Sequence, residues 1–584
     1  MLRGFRWQFL VLVMALILFG ASLANRLSIQ PVAPTPPPAS PTDAAPTAIP
    51  TAIPTPLPTV AGEPLAQPAI IPTFREALIG QIRRLNPILT TPESVEHDIT
   101  SLIFEGLTRI NAYGEPVPAL AQNWLISSDG LEYIVRLRTD VLWQDGLPFS
   151  AADVIYTVGL LQSPDFPGDP ALGAFWRTVE VQLLDSDLIR FRLTQSLGRF
   201  LDILQIGILP EHALRGTTAT QIASHPFNLS PIGTGPYQLE GVESSDSSSI
   251  TGVSLRVAPT FRQRSEGQSG YAVERLRFQV YGSFDAALSG LLSGQVDGLA
   301  GRNTTETQAL LAQQGVNLHT AVRPVVGAVI FNWASDSTRF FREQRVRVAL
   351  QTGLDRTPVI IRHLSGLAVT ANSPLAPGSW AYLDDLSWPT PDIATARTLL
   401  EAALSPRPGS DATPPPAGPL SFTLLTPDDP ALVGVAQEIA AQWSQMNVNA
   451  TVVPASATDY QARLDNGDFG AALVELSLEG SADPDIYQFW DADQYPDGKN
   501  YGGIDDRRTA EELERARREP SGINRIIRYQ EFQRDFVARA IALPLYYPLY
   551  VYATAPTVEG VQLGYVALPS SRFLNIRDWT VMAG

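Results

Sequence analysis

The sequence predicts an α/β fold built as two or more packed units, and three observations lead there. At 584 residues the chain is longer than one ordinary hydrophobic core serves. From residue 420 onward, apolar runs of strand length alternate with segments of helical periodicity. That is the pattern of βαβ units with parallel pairing and right-handed crossovers. Residues 120–162 encode a strand, a turn, a second strand, a second turn and a helix in close succession.

In this module residues 123–127 can extend, and Asp129-Gly130 offers a tight turn. Tyr133, Val135 and Leu137 then alternate with Ile134, Arg136 and Arg138, a strand with one apolar residue on its polar side. Asp145-Gly146 supplies the next turn. Ser150 stands three residues before Asp153, like a capping box with Asp in place of Glu. Val154, Val158 and Leu161 follow at helical spacing with Ile155 beside them. The module carries no nucleophile, ligand cluster or phosphate loop, so by its residues alone it is architecture.

The remaining elements follow in order. The body begins near Ile70, with a strand at 77–82 before Leu85-Asn86-Pro87 and a short helix at 98–106. Segments 179–184 and 188–193 form a hairpin across Asp185-Ser186-Asp187. Residues 231–237 (PIGTGPY) hold a glycine pair, but no helix pattern or lysine follows, so they read as a turn entering a strand and not a phosphate cradle. A helix is expected at 285–294, and 329–332 is an apolar strand ending on Asn332. Residues 344–354 are amphipathic through Val346, Leu350 and Leu354. Thr357-Pro358 then opens a further helix and Gly366 stops it. Residues 405–419, rich in Pro, Gly and Asp, read as a mobile insertion. Strand 420–425 leads to a helix with Leu432, Val435, Ile439, Trp443 and Met446 on one face. Strand 448–453, a short helix around 460–464 and strand 469–478 follow. Finally a long helix at 523–541, bearing Ile526, Ile527, Phe532, Phe536 and Val537, runs into a tyrosine-rich strand at 542–551.

Composition excludes several function classes. The formal charge of −17 argues against nucleic acid, which calls for a basic face. Cysteine is absent, which removes disulfides, thiol catalysis, Cys-ligated zinc and a lipid-modified N-terminal Cys. The single lysine, Lys499, sits in a polar loop (DGKNYGG) unsuited to a phosphate loop or Schiff base. The five histidines are scattered, with no paired metal-ligand spacing, so neither a metal nor a cofactor is expected. No G-x-S-x-G occurs, and the chain reads as a non-enzyme.

Residues 1–24 read as a signal peptide or membrane anchor. Arg3 and Arg6 precede the apolar run 9–19, and Ser22-Leu23-Ala24 offers small residues for cleavage. Residues 25–69 are dense in Pro, Thr and Ala, a composition that cannot pack a core and predicts an extended, partly polyproline II linker.

As a string, the 120–162 module resembles the signature region of the family 5 extracellular solute-binding proteins, the peptide- and nickel-type receptors of ABC importers. Trp124, Asp129-Gly130, Trp143, Asp145-Gly146, Pro148-Phe149-Ser150-Ala151 and Asp153-Val154 fill that family's "W…DG…W-x-D-G-x-P-F-(S/T)-A-x-D-V". Phe104-Glu105-Gly106-Leu107, the PIGTGPY string, Gln295-Val296-Asp297-Gly298 and residues 373–380 are similar to further family strings. The resemblance implies a two-lobed, periplasmic-binding-protein-like fold with an extra subdomain in the N-terminal lobe. Carried onto this chain, lobe I is 70–330, with the extra part at about 120–230. Lobe II is 331–552, and 553–584 returns to lobe I. The implied function is a monomeric, extracytoplasmic receptor, secreted or tethered by its N-terminal segment. It captures a small ligand, foremost a peptide, between the lobes and delivers it to ABC permease subunits. The alternative is a tethered ligand sensor or carbohydrate-binding protein of the same fold with no transport role.

The resemblance also implies where ligand sits. Ser481-Ala482-Asp483-Pro484-Asp485 matches the family's "D-P-D" loop, where peptide binders hold the ligand's α-ammonium with an aspartate, a charge-assisted hydrogen bond. Asp483 and Asp485 are therefore ligand-binding candidates. Trp490 and Tyr501 in the "F-W…N-Y" string, Asn332 and Trp333 at the lobe crossover, and Trp380 beyond it join them. The chain departs from the family in lacking a Trp shortly before "D-P-D". Glu475 and Glu479 stand there instead, suited to a cationic ligand or to solvent.

Overall fold

The computed structural model describes residues 71–245, 249–405 and 419–582, so the N-terminal signal or anchor, the linker and nearly all of the expected insertion at 405–419 lie outside the described residues. The described chain is mixed α/β around a large sheet. In spatial order its main path runs Val448–Ala455, Leu420–Pro427, Ala471–Ser477, Val325–Phe331, Leu543–Thr554, Gly298–Ala300, Thr73–Ile79, Arg275–Tyr281, Ile250–Val257 and Tyr237–Ser244.

The strand Leu543–Thr554 organises this sheet. Its first half pairs antiparallel with Val325–Phe331 (Val329 opposite Leu543) and its second half with Asn317–Val322 (Val322 opposite Leu549). Two hydrophobic cores form on either side of that switch. One gathers side chains from Val326 to Tyr547, the other from Phe74 to Phe278 together with Tyr550 to Trp579. The side chains thus pass from one core to the other around Arg323-Pro324 and again between Tyr547 and Tyr550. Arg323 N donates to Pro548 O at 2.9 Å, binding the two crossings to each other.

In the second core, Leu420–Pro427 pairs in parallel with Val448–Ala455 and with Ala471–Ser477, the βαβ arrangement the alternation predicts. Val325–Phe331 is buried at every residue, as a strand covered on both faces must be. Gly327 is required there. A Cβ would stand 2.3 Å from the Tyr546 ring, which lies flat over the backbone.

The 120–162 module lies in an antiparallel sheet of its own, ordered Ala121–Ile126, Glu132–Leu137, Leu188–Arg192, Glu180–Asp185. Asp153 caps the helix Ala151–Gln162 by accepting from Ser150 N at 2.8 Å, and it also accepts from Glu211 N at 2.8 Å. The glycines of PIGTGPY allow close backbone approach, since a Cβ on Gly233 would stand 1.8 Å from Ile103 O. The C-terminal segment is fastened to the first core by a buried ion triad. Arg572 donates to Glu76 at 2.8 Å and Asp98 at 2.7 Å, and Tyr552 OH donates to Glu76 at 2.7 Å.

Some elements differ from expectation. Thr357-Pro358 opens a single wide turn, Val359–His363, not an α-helix. The helices Ile393–Leu404 and Arg507–Arg518 were not foreseen. Helix Gly522–Ala538 buries Arg525, Tyr529, Phe532, Gln533 and Phe536 and leaves Ile527 exposed, so three polar residues occupy the stripe expected to be apolar.

Candidate functional site

The loop after strand Ala471–Ser477 runs along the contact between the two cores, and its polar groups are held one by one. Leu478 N donates to Pro324 O at 2.8 Å, which fixes the loop to the crossover. Glu479 accepts from Arg323 at 2.8 and 2.9 Å through both oxygens. Gly480 has φ +97° and donates to Ala567 O at 3.0 Å, and a Cβ there would meet Glu93 Oε1 at 2.8 Å. Ser481 Oγ donates to Asp202 Oδ2 at 2.9 Å across the interface and accepts from Asp483 N at 3.2 Å.

Asp483 is buried. Its two oxygens accept from the two terminal nitrogens of Arg525, at 2.7 and 3.0 Å. Arg525 is equally buried and reaches both sides of the interface, donating to Ala516 O at 3.0 Å and Gly198 O at 3.1 Å. The neighbouring carboxylate holds its guanidinium more firmly protonated than usual, outweighing the opposing effect of burial. Asp485 lies 3.1 Å from Arg517, whose guanidinium covers the Tyr487 ring. Beside this pair, Gly198 N donates to Arg517 O at 2.7 Å and Ser196 Oγ to Arg518 O at 2.5 Å, so lobe I caps the C-terminal end of helix Arg507–Arg518.

Trp380 joins the same cluster. Its ring packs edge-on against Tyr529 at 5.8 Å under Arg525, and its backbone N–H donates to Tyr113 O at 3.0 Å, while the buried indole N–H finds no partner among the described residues. The structure therefore brings Asp483, Asp485 and Trp380 together around two arginines. It leaves three other candidates elsewhere. Trp490 is buried edge-on against Phe536 at 4.7 Å. Asn332 donates to Gly467 O and Phe469 O, both at 2.9 Å. Trp333 carries the Arg347 guanidinium at 4.0 Å.

Tyr501 lines a cavity of about 290 Å³ in lobe II. Tyr460, Glu475, Ser477, Phe489 and Lys499 share its wall. Glu475 accepts from Tyr546 OH at 2.9 Å, and the Lys499 ammonium stands 5.8 Å from the Phe489 ring. Burial, and then the Glu475 charge, raise the Tyr546 phenol well above its ordinary range, so it remains a donor. An apolar floor with one acid and one base at its rim can take a side chain and orient its polar end. Among the described residues no group of three His, Asp or Glu stands close enough to hold a metal ion.

Across from the loop, Asp202 in the turn Phe200–Ile203 has its carboxyl pushed up to about 6, first by burial and then by the Asp483 charge. Neither Asp202 nor Arg525 was visible as a site residue in the sequence. Each is a charged residue within an apolar stretch (FLDI and NRII), and that is the one signal the sequence offered.

The geometry so described has known counterparts. The sequence profile of the bacterial extracellular solute-binding proteins, family 5, middle region, matches residues 115–497. The chain belongs to that family. Its curated relatives include the oligopeptide-binding protein AppA of Bacillus subtilis, 24% identical over 514 residues, covering 86% of this chain and 90% of AppA. The dipeptide-binding protein of Escherichia coli is 23% identical over 397 residues, covering 64% and 69%. Among solved structures, HbpA2 from Haemophilus parasuis superposes with a TM-score of 0.72 at 19% identity, over 88% of this chain and all of that one. The fold is thus the two-lobed one of family 5 binding proteins, a family that works outside the cytoplasm with ABC permeases. Among the described residues no helix is long and apolar enough to cross a membrane.

Proposed function

We propose that this protein is a non-catalytic, monomeric receptor that captures a peptide between its lobes and hands it to an ABC permease. Its N-terminal segment tethers it to the outer face of the cytoplasmic membrane. The observation that carries this reading is the pair of crossings at Arg323-Pro324 and 547–550. Two cores joined by two short strand segments can rotate against each other, the device by which binding proteins enclose ligand. The lobe II cavity beside Ser477 offers a side-chain pocket next to that crossing, and relatives in the family bind oligopeptides and dipeptides.

In this reading Tyr501 contacts a ligand side chain. Asp483 and Asp485 shape the loop through Arg525 and Arg517, and Trp380 backs Arg525. Asn332, Trp333 and Trp490 frame lobe II. Calorimetric titration of the full-length protein with a mixed di- to pentapeptide library tests it. Saturable binding without peptide turnover supports the reading. Binding of oligosaccharides and no peptide would replace it with the carbohydrate-binding alternative.

A further inference from the structure

Strand Ala471–Ser477 and the loop after it carry Glu475, Glu479, Asp483 and Asp485, and the last three are matched by arginines. Glu479 accepts from Arg323 and Asp483 from Arg525, each through both oxygens, and Asp485 lies against Arg517. A ligand cation arriving at any of these would compete with a guanidinium already in place. Glu475 is different. Among the described residues no Arg, Lys or His nitrogen lies within ion-pair distance of it, and Arg323 feels its charge only at longer range, behind Glu479.

Glu475, exposed on the cavity wall, is nevertheless held in place. Its Oε1 accepts from the buried Tyr546 OH at 2.9 Å, and the Tyr546 ring has room there because Gly327 carries no Cβ. Among the described residues Oε2 has no hydrogen-bond partner, so a full set of acceptor sites is open on an oriented carboxylate. What surrounds that carboxylate suits a cation on a long stem. Tyr460, Phe489 and Tyr501 line the same cavity, and the Tyr460 ring is fixed by its hydroxyl donating to Leu473 O at 2.6 Å. Aromatic rings attract a cation and pack along the methylenes of a basic side chain. The base at the rim, Lys499, does not neutralise the acid. Its ammonium stands 5.8 Å from the Phe489 ring, and it is not among the charges that act on Tyr460 or Tyr546, whereas Glu475 acts on both. The end of the cavity at Glu475 is therefore negative.

A volume of about 290 Å³ is at the small end of ligand cavities and takes one side chain, not a whole peptide. We infer that this cavity selects peptides that carry an arginine or lysine side chain, with Glu475 accepting from its cation and Tyr460, Phe489 and Tyr501 walling its stem. Tyr546 is a positioning residue that aims the carboxylate. The inference rests on the peptide-receptor reading and adds a side-chain preference which that reading does not itself require.

The test is calorimetric titration of the full-length protein with alanine tripeptides in which the first, second or third residue is replaced in turn. The replacements are arginine, its neutral near-isostere citrulline, and glutamate. At one position the arginine peptide should bind the wild type about tenfold or more tighter than its citrulline counterpart. In Glu475→Gln that preference should fall to within about twofold, and Glu475→Asp, which keeps the charge, should retain more of it. The chain's formal charge is −17 and Glu475→Gln alters it by a single charge, so the loss separates a local contact from the general pull of an acidic protein on cations. Tyr546→Phe should give an intermediate preference. If arginine and citrulline peptides bind the wild type equally at all three positions, or if Glu475→Gln keeps the preference, the inference is overturned and the receptor reading stands. If the glutamate peptides bind tightest and Lys499→Met removes that advantage, the cavity reads the opposite charge and again only the inference falls. If no peptide binds the wild type, the receptor reading fails and the inference with it.

Discussion

Arg525 grips both carboxylate oxygens of Asp483, at 2.7 and 3.0 Å, across a gap of 42 residues in sequence, and both side chains are almost wholly buried. Breaking a buried pair leaves an uncompensated charge, which costs about 3–5 kcal/mol. Asp483→Ala and Arg525→Ala should each lower the stability of the body by that order in chemical denaturation. The double substitution should cost clearly less than the two single costs added. Simple additivity would show that the two side chains act independently.

The Glu76–Arg572–Asp98 triad makes a parallel prediction far from the ligand loop. Burial raises the Glu76 carboxyl, against the pull of Arg572 and Tyr552. Arg572→Met removes the cation that pairs with both buried carboxylates and should destabilise the first core by about 3–5 kcal/mol. The loss should be smaller at pH 5 than at pH 8, because burial already favours a proton on Glu76 and the variant lacks the cation that opposes it. A loss that is equal at both pH values would contradict the triad's electrostatic role.

Asp202 carries a pH signature. A carboxyl raised in the folded state from its ordinary range to about 6 binds a proton more readily folded than unfolded. Its stabilising contribution is therefore full below pH 4 and is lost as pH rises through about 6. The charged groups acting on it are Asp483 from the loop of lobe II and Arg199 from its own turn. The stability of wild type relative to Asp202→Asn should thus decline on going from pH 5 to pH 8, by about 1.4 kcal/mol. A flat stability profile would contradict the raised carboxyl.

Gly327 lies under the Tyr546 ring, and Tyr546 holds Glu475 at the cavity rim. In Gly327→Ala the new methyl has no room, and overpacking of this kind costs about 1–3 kcal/mol. The variant should also lose ligand affinity as Tyr546 and Glu475 separate, whereas Tyr546→Phe should lose affinity with a smaller stability change. Unfolding curves and titrations on the two variants separate these effects.

The α/β character and the parallel order of the later strands were legible because residues 420–478 alternate cleanly between periods of two and 3.6. The caps and turns of the 120–162 module were legible because Ser150, Asp153 and the Asp-Gly pairs act locally. Helix Arg507–Arg518 was not, since RRTAEELERARR turns only Thr509, Leu513 and Ala516 inward and offers almost no apolar stripe. The long helix misled for the opposite reason: Ile526 and Ile527 advertise a face, while Arg525, Tyr529 and Gln533 occupy it through partners distant in sequence. The place where the chain changes core was equally hidden. Val325–Phe331 is apolar throughout, and nothing in such a run says which core it serves. The site residues followed the same rule. The loop could be found from its string, but Asp202 and Arg525 come to it only through the fold.

As a peptide receptor the protein should close by moving its two cores as bodies about the crossings at Arg323-Pro324 and 547–550. The native chain has no cysteine, so two introduced thiols can be labelled without background. Leu125 on lobe I and Ile361 on lobe II are 70% and 66% exposed and serve as sites. The measurement is the spin-label distance distribution of the Leu125→Cys/Ile361→Cys protein, with and without the peptide library. Saturation with peptide should shift the distribution to a distinct, narrower distance. An unchanged distribution with peptide demonstrably bound would contradict it.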